Sequence, residues 1–497
     1  MHLPLLLEMV ADVDGERVGV GRSAEGWSYA RLLSAARQAA RRIRRADAQA
    51  VAFVGLNSDT LPLLLFGGGL AGVPFAPVNY RLPDEQLRGV LARLAPALAV
   101  IDDDMVERAS GIDGVEVVAR STFLDQLDEE SDGPLDDVAV DEDEIAVLLF
   151  TSGTTGEPKA AVLRHRHLAS YILTTVDMLA ADPDEAQLVC VPPYHIAGIS
   201  SILSSVFAGR RIVYLPAFDA ADWVSWARDE SITQAMVVPT MLDRILGEIE
   251  TTGTSLPALR SVSYGGGRMP LATIERAMGT LSSVRWTNAY GLTETSSTIA
   301  VLTPEDHADA FASDEPAVRA RLGSVGRPVP TVELEIRGDD GAAAGVGERG
   351  EIYVRGDQIA GEYLGRSLLT DDGWFPTNDA GYVDAEGYLY LDGRLDDVIV
   401  RGAENLSPGE IEDVLIAHPA VAEAAVVGVP DATWGEKVVA AVVLADGAGA
   451  DEAELQDWVR TRLRSTKTPE RIDMRAELPH NETGKLLRRV LKQELAD

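Results

Sequence analysis

A single cysteine, Cys190, stands among 497 residues. One thiol excludes an intrachain disulfide and a cysteine-based zinc site, and a reducing cytoplasm is the compartment that fits. Lysine is almost as scarce: of 44 basic residues only five are lysine, at positions 159, 437, 467, 485 and 492. Positive charge is short overall, because 79 acids give a net charge of −35. That field argues against a general nucleic-acid binder and against a polybasic membrane contact, and its default use is solubility. Long apolar runs are missing too. The opening MHLPLLLEMVADVDGE has no basic start and only a short apolar core, unlike a signal peptide. No stretch approaches the roughly 18 uncharged apolar residues of a membrane span, so a soluble chain is expected.

The residues that are present alternate between strand and helix patterns. Residues 28–44 repeat their apolar positions with helical spacing, with Ser28 as a cap. VAFVGL (51–56), ALAVIDD (97–103) and IAVLLF (145–150) read as buried strands. LPLLLFGGGLAG, between the first two, reads as a helix. The alternation implies a parallel α/β sheet. LVCVPPY, RIVYLP, QAMVVP and LRSVSYGGG imply a second such unit, and the acid-rich stretch 125–144 a solvated loop. From about 321 the pattern becomes short and glycine-bounded (VELEIRG, GEIYVRG, GYLYLDGR), as in a small β-rich subdomain. After 394 a compact α+β unit follows. The expected fold is therefore α/β: a large N-terminal domain (1–393) of two α/β subdomains plus a β-rich subdomain, then a hinge (394–399), then a small mobile α+β C-terminal domain (400–497).

The most informative motif follows IAVLLF: Thr151, Ser152, Gly153, Thr154, Thr155, Gly156, Glu157, Pro158 and Lys159. Its hydroxyls and backbone N–H groups can all donate to phosphate oxygens, and Lys159 supplies a compact cation. It lacks the GK[ST] ending of a Walker A loop. Two GxGxxG matches, Gly67-x-Gly69-x-x-Gly72 and Gly345-x-Gly347-x-x-Gly350, lack the strand-turn-helix order of a dinucleotide site and read as packing or turn glycines.

The nonapeptide resembles the signature of the adenylate-forming superfamily, which contains acyl- and aryl-CoA synthetases, peptide-synthetase adenylation domains and luciferases. The resemblance runs through nearly the whole chain. Asn288-Ala289-Tyr290-Gly291-Leu292-Thr293-Glu294 is similar to the adenine and magnesium segment. It implies Asn288 and Tyr290 at the adenine, Thr293 near the α-phosphate, and Glu294, with Thr154, on Mg²⁺. Gly265 and Gly266 lie in a segment similar to the strand end lining the adenine and acyl pocket. Trp374–Asp379 resembles the ribose segment, with Asp379 accepting the ribose hydroxyls. Asn378 stands where the family usually has glycine, and asparagine tolerates the left-handed backbone that such a turn needs. Arg394 would contact ribose or phosphate, Asp396 would be the hinge pivot, and Lys485 the lysine bridging carboxylate and α-phosphate.

What the resemblance implies chemically is a two-step ligase. A carboxylate attacks the α-phosphorus of ATP, pyrophosphate leaves, and the acyl group passes from AMP to coenzyme A after the C-terminal domain rotates. Gly402 and Ala403 match a segment facing the thiol tunnel, with alanine where a second glycine is usual. Trp434 reads either as a pantetheine contact or as a core aromatic. His195, in Tyr194-His195-Ile196-Ala197-Gly198, matches the gate of the acyl pocket. His165 and His167 read as surface residues with no zinc role. The rival functions are an acyl-AMP ligase loading a carrier protein, an amino-acid-activating domain, a luciferase-like oxidase and a non-catalytic relative. VPPYHIAGI carries no acid to hold an ammonium, which disfavours the second. The apolar gate and small glycines suggest a medium-chain, branched or aromatic acid. Whether the enzyme is a homodimer stays open.

Overall fold

A computed structural model gives the structure of the protein. It describes residues 1–23, 25–128, 140–152, 158–338, 340–402, 404–431, 433–445, 447–480 and 486–496. Ser28 caps helix Tyr29–Arg45, its hydroxyl accepting the Arg31 N–H, and Arg42, Arg44 and Arg45 sit in the last turn where cations suit the helix dipole. Leu32, Leu33, Ala36, Ala39, Ala40 and Ile43 line one buried face at the spacing read from the sequence. Helix Thr60–Ala71 is instead buried nearly all round, so it lies inside a layer, and Gly72 ends it in the left-handed conformation. Gly67 lets it press on the first helix, since a Cβ there would come within 2.9 Å of Ala39 Cβ. The first GxGxxG match is thus a packing device.

These helices separate two large sheets. One runs Glu362–Tyr363, Pro158–Arg164, Ile145–Ser152, Phe75–Val78, Ala50–Val54, Ala97–Ile101 and Val115–Ala119, with strand Arg366–Ser367 at its near edge. From Ile145–Ser152 outward it is parallel. The other has parallel strands in the order Arg211–Tyr214, Ala186–Val189, Gln234–Val237, Ser261–Gly265 and Arg285–Leu292. Antiparallel Ser297–Leu302 extends it beyond Arg285–Leu292. A single buried cluster takes in Phe53, Phe75 and Val147 of the first sheet and Val189, Ile212 and Tyr214 of the second, with the helices between them. Both sheets therefore fold onto one shared helical layer.

The β-rich part is a four-stranded antiparallel sheet of Glu333–Arg337, Gly350–Arg355, Phe375–Val383 and Leu389–Arg394. Leaving it, the chain makes a short 3₁₀ turn at Leu395–Asp397 and enters another sheet with Ile399–Arg401. That sheet pairs Val421–Asp431 with Gly435–Leu444 and adds Arg471–Arg475 in parallel. Its core, built on Ile411, Val426, Val438 and Leu455, is separate from the others.

The histidines at 165 and 167 are a correction. Both are buried rather than on the surface. His165 Nδ1 accepts the Leu3 N–H at 3.2 Å and His167 Nδ1 the Arg164 N–H at 3.4 Å. Burial pushes both imidazoles down to about 4, which keeps them neutral acceptors. They bind the start of helix His165–Thr175 into the core. Short-range charge patterning hid this, because Arg164 and Arg166 alternate with them and read as a solvated face.

Candidate active site

In a parallel sheet every strand delivers its carboxyl end to the same edge, and loops at that edge converge. Here the edge carries Gly265–Gly267 after Ser261–Gly265 and the 3₁₀ turn Thr293–Thr295 after Arg285–Leu292. Gly265 has no room for a side chain, since a Cβ would lie 2.3 Å from the Ala289 carbonyl oxygen of the neighbouring strand. Gly266 turns with φ +75°. The two strand ends meet backbone to backbone, leaving an open floor at Gly266 and Gly267 where a flat ligand can approach main chain.

At one end of this floor Tyr290, Asp379 and Arg394 form a cross-tied corner. Tyr290 Oη donates to Asp379 Oδ2 at 2.6 Å, and Arg394 Nη1 donates to Asp379 Oδ1 at 2.8 Å and to the Thr377 carbonyl at 3.0 Å. Burial, with the Asp379 charge, raises the Tyr290 phenol well above its usual range, so it stays a donor. Burial opposes the charge on Arg394, but Asp379 outweighs it. Three residues from three segments, each named by its own motif, thus meet on one carboxylate. The turn before Asp379 is left-handed at Asn378 (φ +60°), as its asparagine allows. The Asn288 amide donates to the Ser324 carbonyl at 3.1 Å, so one of its two N–H donors is spent inside the protein.

Glu294 lies in the 3₁₀ turn, its carbonyl accepting the N–H groups of Ala360 (3.0 Å) and Gly361 (2.9 Å). Its carboxylate accepts the hydroxyl of Tyr363, a residue that the sequence motifs did not single out. Burial, with the nearby Glu294 charge, pushes the Tyr363 phenol up to about 12, against a hydrogen bond with Thr151. Lys159 Nζ lies 5.8 Å from the centre of the same ring. Strands Ile145–Ser152 and Pro158–Arg164 pair antiparallel, with Thr151 opposite Lys159. Gly153, Thr154, Thr155 and Gly156 lie outside the described residues, as do Ala403 and Lys485. Tyr363 thus ties this strand pair to Glu294. A short Glu-Tyr strand gave no periodic signal that could have revealed it.

The other end of the edge is different. Beyond Ala186–Val189, Arg211–Tyr214 and Gln234–Val237 lies a cavity of about 340 Å³, walled by Tyr80, Pro192, Pro193, Phe218 and Met241. Arg81 and Arg244 line it too, and Glu423 and His480 close it from the C-terminal part. Tyr194 packs edge-on to Tyr80 (6.0 Å between ring centres) and against His195 (5.1 Å), which begins helix Ile196–Ala208. In the C-terminal sheet Trp434 is half exposed, which excludes a core role, and Arg401 stacks 5.2 Å from its ring centre. Gly402 turns with φ +64° beneath it, and its N–H donates to the Trp434 carbonyl.

Two family models match: the AMP-binding enzyme over residues 7–364 and the AMP-binding enzyme C-terminal domain over 410–485. The chain belongs to the AMP-binding enzyme family. Among relatives of this AMP-binding enzyme, a feruloyl-CoA synthase from Amycolatopsis is 32% identical over 444 residues, spanning 88% of this chain and 87% of the relative. A fatty acid–[acyl-carrier-protein] ligase, ScoC, from Streptomyces coeruleorubidus is 33% identical over 464 residues, 89% of this chain and 86% of its own. Among solved structures, o-succinylbenzoate CoA synthetase (MenE) from Bacillus subtilis, in complex with its acyl-adenylate intermediate, superposes with a TM-score of 0.84 at 28% identity, covering 98% of this chain and 97% of that one. The adenylate-forming resemblance of the motifs is thereby established. The enzyme is an AMP-forming acid–thiol ligase, an acyl-CoA synthetase that works with ATP, Mg²⁺ and coenzyme A. Among the described residues no helix is long and apolar enough to cross a membrane.

Proposed function

We propose that the carboxyl edge of the second large sheet is divided between the two half-reactions, and that the acid activated there is aromatic. The Tyr290–Asp379–Arg394 corner carries the nucleotide assignment. Asp379 would exchange its internal donors for the ribose hydroxyls, with Arg394 beside the phosphates. The glycine floor at 265–267 suits a planar base and the reacting carboxylate. The donor set also fits a hard cation: Glu294 is a carboxylate at the turn, and Ser296 Oγ and Gln358 Oε1 behind it are buried with no protein partner. When bound there, Mg²⁺ would neutralise phosphate charge. Thr293, Lys159 and the hydroxyls of Thr151, Ser152, Thr154 and Thr155 would donate to phosphate oxygens, with Gly153 and Gly156 giving the loop its close approach. Lys485 would pair the acid carboxylate with the α-phosphate.

The acid is assigned from the walls it would meet. His195 and Tyr194 form an aromatic gate at the head of an apolar helix. Relatives named for ferulate and for o-succinylbenzoate act on aromatic acids, which agrees. The cavity between Pro192, Phe218 and the C-terminal part suits an approaching pantetheine arm, with Arg81 and Arg244 placed to meet phosphates. Gly402, Ala403 and the half-exposed Trp434 would contact that arm after rotation at Asp396, between units 1–393 and 400–497. The relative named for a carrier protein supports a second reading, in which the thiol arrives on a protein. Mass spectrometry of products from enzyme, ATP, Mg²⁺, coenzyme A and a mixed acid pool tests the assignment. Aryl-CoA and AMP are expected. Aliphatic thioesters alone would reject the aromatic assignment, and acyl-AMP without thioester would favour the carrier-protein reading.

A further inference from the structure

We propose that Asn378 is a positioning residue whose side-chain amide latches the hinge carboxylate, Asp396, and so sets the balance between the two half-reactions. The inference rests on the two-step reading above. Asn378 Nδ2 donates to Asp396 Oδ2 at 2.8 Å, across the gap between strand Phe375–Val383 and the 3₁₀ turn Leu395–Asp397. The backbone at 378 is left-handed (φ +60°), and its N–H donates to Glu351 Oε1 at 3.1 Å. A glycine would meet that backbone demand equally well, so the conformation alone does not call for an amide. Among the described residues, the amide's hydrogen bond goes to the hinge.

The next residue is held from the opposite side. Asp397 Oδ2 lies 3.4 Å from Arg488 Nε. Arg488 opens helix Arg488–Ala496 and also donates to both Glu412 oxygens, at 2.5 and 2.8 Å, and to the Val426 carbonyl at 2.7 Å. Two consecutive carboxylates are therefore tied to opposite bodies, Asp396 to the β-rich sheet and Asp397 to the C-terminal unit. A rotation about Asp396 that carries its side chain with the C-terminal unit releases the Asn378 bond. The Arg488 cluster is multiply bonded and largely buried, whereas the Asn378 bond is single and exposed to water, so it opens first.

The orientation that the latch holds has a direction. It places His480, which leads into the Lys485 segment, in the cavity wall with Pro192 and Pro193. Ser407 Oγ donating to the Asp392 carbonyl at 2.6 Å and the Arg268–Asp413 ion pair hold the same face. The latch is assigned to the adenylating arrangement, so opening it favours the thioester step at the expense of the first.

The test separates the half-reactions: pyrophosphate release without thiol, and thioester formation from supplied acyl-AMP. Asn378→Gly keeps the backbone and is expected to slow pyrophosphate release about three- to tenfold, the range for one net hydrogen bond, while thioester formation holds or rises. Asn378→Asp sets two carboxylates together and is expected to lower pyrophosphate release further. The exchanged pair Asn378→Asp with Asp396→Asn reverses donor and acceptor and is expected to restore the wild-type ratio of the two rates. Equal loss in both half-reactions for Asn378→Asp, or failure of the exchanged pair to restore the ratio, would overturn the proposal. Amide exchange over 395–400, read by mass spectrometry, is expected to quicken in Asn378→Gly; unchanged exchange counts against the latch even if wild type releases no pyrophosphate with any acid, an outcome that defeats the two-step reading separately.

Discussion

The two ends of one sheet edge are built on different principles. At the end proposed for the nucleotide, Tyr290, Asp379 and Arg394 are locked together at 2.6 and 2.8 Å on a glycine floor closed by backbone contact. At the end proposed for the thiol, a cavity of about 340 Å³ is lined by aromatic rings, prolines and two arginines, and Glu423 and His480 of the C-terminal part join its wall. A constant ligand is met by a preorganised set of fixed partners, which limits the ordering cost of binding. A ligand that changes between steps is met by a wall that can move away.

This contrast can be broken at either end. The largest effect is expected at the locked end. Asp379→Ala removes the acceptor shared by Tyr290 and Arg394 and leaves both with a lost partner, a change that costs about 3–5 kcal/mol in a fully buried pair and less here, where the Arg394 side chain is partly exposed to water. Differential scanning calorimetry should show a lower Tm, and kcat/KM for ATP should fall about 100-fold or more. A variant that kept its Tm and lost activity only through coenzyme A would erase the distinction. Next, Glu294→Gln should cut pyrophosphate release about tenfold or more and raise the Mg²⁺ concentration needed for half-maximal rate, because the hard cation loses its carboxylate.

At the movable end the effects should be smaller and confined to one step. Trp434→Ala is expected to raise KM for coenzyme A about tenfold, the scale of one stacked aromatic contact, and to leave pyrophosphate release unchanged. A matching loss in both steps would show that Trp434 serves the fold. Smallest of all, Tyr363→Phe should slow adenylation about fivefold, the worth of one net hydrogen bond. The Tyr363 phenol is pushed up to about 12 by burial and Glu294, so it stays protonated below that value and the ratio to wild type should be flat from about pH 6 to pH 9. A ratio that changes with pH across that range would mean that the phenol ionises in turnover.

Legibility in the sequence followed the same division. Apolar runs and glycine boundaries announced both α/β units and the β-rich sheet, because buried parallel strands and helix stops are local in sequence. That Tyr290, Asp379 and Arg394 share one site could be anticipated because each sits in a short contiguous motif. Tyr363 and Arg268 escaped because their roles are relations between distant segments: a two-residue strand beside the 3₁₀ turn, and an ion pair with Asp413. The amide of Asn378 is similar, since a motif shows that asparagine replaces glycine but not where its side chain reaches. The buried imidazoles of His165 and His167 were misread because flanking arginines mask burial, which only the packing of the N-terminal helix against them reveals.

The most direct test of the central claim is calorimetric titration of Mg²⁺-ATP into the wild-type protein and into Asp379→Asn, which keeps the side chain's size and removes its charge. The account predicts saturable binding to wild type and at least about tenfold weaker binding to the variant, the cost of a charge-assisted contact. Equal affinity for both proteins would contradict it and place the nucleotide away from the Tyr290–Asp379–Arg394 corner.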